Sequence, residues 1–216
     1  LVNAAEHHQS FDEAMAHKTT VVARLNEKNY HMLADRETVS VIEGEASFVD
    51  DRTVKVVAGN DELVVSAPQI FINTGAESII PDIPGVDKPF VYTSTELLDR
   101  MTQPKQLAII GGGYIGLEFA STYAKLGTKV TVFERGDALL AREDPAIARA
   151  ATEALQAQGI EIVFSVDVTA IEGESTATIR TVNHDDYAGY DAVLMATGRR
   201  PATMSLNLPA AGVSTD

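Results

Sequence analysis

The sequence predicts an α/β fold in which a parallel sheet with an added β-meander is inserted into a second domain, and three observations predict it. From about residue 102 onward, apolar runs suited to strands alternate with segments of helical periodicity, the pattern of a parallel sheet. Two apolar runs, QIFINTG at 69–75 and DAVLMATG at 191–198, both end in Thr-Gly, as if the chain left one domain and later came back to it. Between them, Pro81, Pro84, Gly85 and Pro89 bar any helix or central strand, which marks a domain crossing.

The elements follow in order. Ser10 and Glu13 fit a capping box, and Phe11, Met15, Val22, Leu25 and Met32 recur at helical spacing, so residues 10–34 read as one amphipathic helix. Short β-rich runs at 39–42, 46–49, 53–57 and 62–65, divided by turn residues such as Gly59-Asn60-Asp61, read as an antiparallel meander. The nearly continuous apolar run 69–75 suits a buried strand. A strand at 106–111, a helix at 114–126, a strand at 129–134, a helix at 145–158 and a strand at 160–164 then form a βαβαβ unit. Asp144-Pro145 supplies the cap and first-turn proline of the second of these helices, and Gly159 ends it. Further short strands near 167–171, 176–182 and 186–190 make another meander before the strand at 191–198.

Composition narrows the function classes. The 216 residues are 45% hydrophobic and 22% charged, an ordinary globular balance. A net charge of −14 with no lysine or arginine cluster argues against nucleic acid as a partner. No apolar run reaches the roughly 18 residues of a spanning helix, and LVNAAEHHQS lacks a signal peptide's basic start, so no membrane and a cytoplasmic location are the expectation. Cysteine is absent, which removes disulfides, thiolate metal sites and cysteine nucleophiles, and no catalytic residue is assigned in this chain. His7 and His8 lack the ligand spacing of a metal site, and none is expected.

Chemistry concentrates in QLAIIGGGYIGLEFA, residues 106–120, where Gly111, Gly113 and Gly116 stand at the turn between the first strand and first helix of the βαβαβ unit. In that context the first glycine permits the turn, the second lets a pyrophosphate approach the backbone and the third lets helix and strand pack closely. The helix's first amides then face the phosphates. Glu134 ends the next strand about 20 residues after Gly113, where a carboxylate accepts ribose hydroxyls. A Rossmann-like domain that binds NAD(H) is the expectation, with NADP(H) left open because Arg135 follows Glu134.

FINTGAESIIPDIPG at 71–85, STELL at 94–98, GGGYIGLEFA at 111–120, VTVFERG at 130–136 and ATGRRP at 196–201, in this order, resemble the flavoprotein disulfide reductases with two dinucleotide sites. That family includes lipoamide dehydrogenase, glutathione reductase and mercuric reductase, and the FINTGA and GRRPAT runs look most like its branch of bacterial reductases for reactive chlorine species and hypothiocyanous acid. The resemblance implies an NAD(P)H-using FAD enzyme that reduces a small-molecule oxidant and works as a homodimer. It implies that the NAD-binding domain, 102–196, is inserted into a partial FAD-binding domain with its connecting segment, 1–101, to which the chain returns at 197–216.

By the same resemblance, Gly111, Gly113, Ile115 and Gly116 belong to the NAD fingerprint, Tyr114 is an aromatic gate over the flavin and Glu118 lies beside the nicotinamide. Thr74, Gly75, Gly198 and Arg199 match the two hinge segments at the FAD boundary, although Ala202 stands where many relatives have asparagine. Plainer readings stand beside these. Tyr114 packs its ring on the sheet, Glu118 complements a helix dipole, the Thr-Gly endings are ordinary turns, and Arg199-Arg200 holds a surface carboxylate rather than a phosphate.

The family's FAD-binding glycine fingerprint, its redox cysteine pair and its dimerisation domain have no counterpart between Leu1 and Asp216, so the chain is expected to be an internal fragment, inactive alone. Two alternatives remain open at this level: an NADH oxidase or peroxidase of the same fold, and a stand-alone NAD-binding module without catalysis.

Overall fold

The computed structural model describes residues 10–183 and 185–215. His7 and His8 lie outside them. The described residues divide into two compact units, one of residues 10–16 with 78–183 and 185–199, the other of 17–77 with 200–215.

In chain order the elements are α1 (Phe11–Ala34), β1 (Glu45–Asp50), β2 (Thr53–Ala58), β3 (Asp61–Ser66), β4 (Ala76–Ser78), β5 (Val91–Tyr92) and α2 (Ser94–Asp99). Then follow β6 (Gln106–Ile110), α3 (Tyr114–Lys125), β7 (Lys129–Phe133), α4 (Pro145–Gln156), β8 (Glu161–Val163), β9 (Val168–Glu172), β10 (Ala177–Thr181) and β11 (Asp186–Tyr190). β12 (Ala192–Met195) and β13 (Arg199–Pro201) come last, before two short 3-10 turns at Met204–Leu206 and Leu208–Ala211.

The first unit is built on a five-stranded parallel sheet in the order β5-β12-β6-β7-β8. Because successive side chains of a strand point to opposite faces, its apolar runs divide cleanly in two. Leu107, Ile109, Val130, Val132 and Leu194 join Leu117, Ala120 and Tyr123 of α3 and Leu155 of α4 in one core. Ala108, Ile110, Phe133, Val193 and Met195 join Ile171, Ala177, Ile179 and Tyr190 of the antiparallel meander β9-β10-β11 in another. Helices therefore cover one face and the meander the other. A sheet buried on both sides needs strands that are largely apolar, and β6, β7 and β12 are, apart from Gln106 and Lys129 at the starts of β6 and β7 and the buried Thr131.

Start and stop signals fall where the chemistry puts them. Asp144 caps α4, its Oδ1 accepting from the Ala146 amide at 2.7 Å, with Pro145 at the first helical position. Ser10 and Glu13 form their reciprocal capping box at the start of α1. α2, which the sequence patterns above do not include, carries one as well: the Glu96 amide donates to Thr93 Oγ1 while the Thr93 amide donates to Glu96 Oε2. The Asp191 carboxylate accepts from the Lys105 and Gln106 amides at 2.7 and 2.9 Å and so fixes the start of β6.

The proline-rich segment belongs to the first unit. The Ile171 amide donates to Pro84 O at 2.8 Å, and β5 pairs with β12.

The second unit is slighter. β1, β2 and β3 form an antiparallel sheet, and Phe48, Leu206 and Leu208 are its buried centre, with Val54 and Ile70 against them. Asn207, in the left-handed region at φ 54°, donates its Nδ2 to Phe48 O at 2.9 Å and ties the 3-10 turns to β1. Two expected strands are absent. Residues 39–42 and 69–75 are both irregular, with Phe71 exposed; neither run has a neighbouring strand among the described residues to satisfy its backbone. The α1 stripe is likewise only begun. Phe11 and Met15 are buried, whereas Val22, Leu25 and Met32 are exposed. β4 and β13 pair as a two-stranded ribbon.

Candidate nucleotide-binding site

The three fingerprint glycines have three different surroundings. Gly111 adopts φ 111°, a region that favours glycine, and a Cβ there would stand 2.4 Å from Ala196 O. A Cβ on Gly116 would stand 2.2 Å from Gly111 O, so this position sets how closely α3 approaches the turn. At Gly113 a Cβ would meet nothing within 4 Å. Two of the glycines are filled in by the protein's own backbone and the middle one faces open space.

That space is a groove of about 530 Å³ at the C-terminal ends of β6, β7 and β12, lined among others by Gly111, Gly113, Glu134, Arg135, Asp167 and Gly198. Gly113 is the N-cap of α3 and brings no side chain to the helix start, so the first-turn amides are left for another acceptor. The helix dipole favours negative charge at the same point. Another hollow, of about 460 Å³, runs along α4 and loop 137–143, and the fingerprint glycines do not line it.

Glu134 continues from β7 and is held at both oxygens: Oε2 accepts from the Gly112 amide at 2.6 Å and Oε1 from the Gly136 amide at 2.6 Å. A Cβ at Gly112 would come within 2.8 Å of Oε2, and one at Gly136 within 3.1 Å of Oε1. These two glycines make room for the carboxylate that they orient. Motif reading passes over them because the fingerprint counts only the three turn glycines; the signal was the middle glycine of the GGG run and the Gly of ERG. Beside Glu134, Arg135 Nε lies 3.6 Å from Asp167 Oδ1 on the rim.

Tyr114 is exposed rather than packed on the sheet, and its hydroxyl donates to Glu143, which raises the phenol above its usual pKa. With Gly113, Ile115, Met195, Ala196 and Gly198 it lines a smaller pocket of about 160 Å³. Glu118 does not reach either pocket. It is exposed, in the second turn of α3, along a shallow surface shared with Leu117 and Ser121.

Gly198, at φ 134°, accepts the Ile79 amide at 3.0 Å, and Thr197 Oγ1 donates to Ile79 O at 2.6 Å. Arg199 opens β13 and is exposed. In the second unit, Gly75, at φ 73°, accepts the Ala202 amide at 3.0 Å, and Thr74 lines a cavity of about 190 Å³ with Phe48 and Leu206. Arg200 holds a surface carboxylate, its Nε donating to Glu77 Oε1 at 2.7 Å. Among the described residues no cluster of His, Asp or Glu is arranged to hold a metal ion, and no helix is long and apolar enough to cross a membrane.

The chain is 40% identical over 215 residues to a probable pyridine nucleotide-disulfide oxidoreductase, RclA, of Escherichia coli (strain K12), covering 99% of this chain and 48% of that protein. It is 37% identical over 201 residues to a mercuric reductase of Staphylococcus aureus, covering 92% of this chain and 36% of that one. A dihydrolipoyl dehydrogenase of Chlamydia pneumoniae is 36% identical over 206 residues, 94% of this chain and 43% of its own length. The chain thus spans less than half the length of these relatives. The solved structure of the HOCl-induced flavoprotein disulfide reductase RclA from Escherichia coli matches with a TM-score of 0.90 at 40% identity, over 97% of this chain and 47% of that one. A family model, the pyridine nucleotide-disulphide oxidoreductases, matches residues 1–216, and the chain belongs to that family.

Proposed function

We propose that this chain binds NAD(H) in the fingerprint groove and, within a flavoprotein, presents it for hydride transfer through FAD to a disulfide or related small-molecule oxidant. The open face of Gly113 beneath the unsatisfied start of α3 is the observation that carries this reading. When bound, the nicotinamide supplies the hydride and the flavin relays it.

The chain's own residues supply binding and orientation. Gly113 admits a pyrophosphate to the backbone, and the α3 amides neutralise part of its charge. Glu134, already oriented by two amides, accepts the adenosine ribose hydroxyls, and its charge opposes a 2′-phosphate. Tyr114, Ile115 and Met195 frame the smaller pocket, where a flat nicotinamide ring would find apolar walls. Glu118 is assigned to the neighbourhood of the nicotinamide by family resemblance alone. Thr74, Gly75, Gly198 and Arg199 are the boundary segments on the FAD side, which accords with an NAD domain at about 102–196 inserted into a FAD-binding domain.

A homodimer in the cytoplasm is part of the proposal, supported by family membership. The oxidant is kept at the level of class, because the relatives' names span HOCl-induced and mercuric reductases.

Anaerobic mixing of the flavin-loaded protein with NADH tests it. Bleaching of the oxidised flavin's visible absorbance is the expected result. NADH that binds while the flavin stays oxidised would instead make the chain a binding module.

A further inference from the structure

We propose that Asp167 is a specificity-determining residue of the groove: paired with Arg135, it withdraws that guanidinium from a 2′-phosphate and so favours NAD(H) over NADP(H). The inference rests on the nucleotide reading above and adds a residue to it. Arg135, directly after Glu134, is the groove-lining cation that a 2′-phosphate would meet. Its Nε instead lies 3.6 Å from Asp167 Oδ1.

Asp167 comes from a separate element. It immediately precedes β9, and its carbonyl accepts the Val182 amide at 2.9 Å, so the backbone beneath the carboxylate is anchored by the meander. The Arg135 side chain is 81% exposed and that of Asp167 56%, which makes the pair a bias rather than a lock, because exposed ion pairs are screened by water and salt.

A second effect points the same way. Glu134 and Asp167 both stand on this groove, so a dianionic phosphate entering there meets two carboxylates and a cation already partly engaged. Arg135 alone leaves the cofactor open, and Asp167 supplies what the motif lacks.

The test is a calorimetric titration of the full chain with 5′-ADP and with 2′,5′-ADP, for the unmodified protein, Asp167→Asn, Asp167→Ser, and Asp167→Asn combined with Arg135→Ala. Either single variant is expected to bind 2′,5′-ADP about two- to tenfold more tightly, with 5′-ADP unchanged and the gain shrinking as salt is raised. Adding Arg135→Ala is expected to remove the gain. An unchanged ratio of the two affinities in both single variants, or a gain that persists without Arg135, overturns the inference. If the unmodified protein binds neither nucleotide, the nucleotide reading of the groove fails, and this inference fails with it.

Discussion

The two units spend similar apolar sequence in opposite ways. In the first, the strands of the parallel sheet bury both faces, and Leu107, Ile109, Val132, Val193 and Leu194 are fully enclosed. In the second, β3 contributes Leu63, Val64 and Val65 and all three stay exposed, as do Val22, Leu25 and Met32 of α1. A sheet with helices on one side and a meander on the other can use every residue of an apolar run. A three-stranded sheet whose centre is Phe48 with Leu206 and Leu208 cannot. Apolar residues therefore report a core only where something covers both faces, and the first unit is the rigid platform on which a site can be built.

The sharpest way to break this contrast is a pair of truncations. Leu107→Ala should cost about 2–5 kcal/mol in denaturant unfolding, the usual range for a fully buried leucine. Val64→Ala belongs at the other end, at roughly 0.5 kcal/mol or less, because its side chain is already in water. Equal losses would show that the second unit holds a core of its own at β3.

Between these extremes lie two changes in the first unit. Glu134→Arg should shift the ratio of NADPH to NADH affinity toward NADPH, on the order of tenfold or more, by exchanging a ribose acceptor for a phosphate donor. Equal loss of both nucleotides in equilibrium titration would count against Glu134 as a ribose ligand. Thr93→Ala removes half of the capping box on α2 and should lower stability by about 1 kcal/mol, measured by thermal unfolding, since Leu97 of that helix is fully buried.

The same contrast explains what the sequence disclosed. Every element of the βαβαβ unit is found within two residues of its expected end, because periodicity, caps and burial agree there. The expected strand at 69–75 failed for the opposite reason. QIFINTG has the composition of a buried strand, yet Phe71 is 87% exposed and no described strand pairs with it. α2 escaped because six residues are too few to show a helical period, although Thr93 and Glu96 announced its start.

At the site, Gly111, Gly113, Gly116 and Glu134 were legible as a motif because their spacing is dictated by one strand-turn-helix. The amides of Gly112 and Gly136 that orient Glu134 were not, since which backbone groups face a carboxylate depends on the tertiary path of two loops. Asp167 was invisible for the same reason, being 32 residues from Arg135 along the chain yet 3.6 Å away in space.

The most direct test is to compare Gly113→Val with the unmodified protein by NADH calorimetry and thermal unfolding together. A valine there meets no protein atom within 4 Å of its Cβ and occupies the space assigned to the pyrophosphate. The account predicts an unchanged melting temperature and NADH binding lost by on the order of a hundredfold, the scale of one or more forfeited charge-assisted hydrogen bonds. NADH affinity equal to that of the unmodified protein, in a variant that melts at the same temperature, would contradict it.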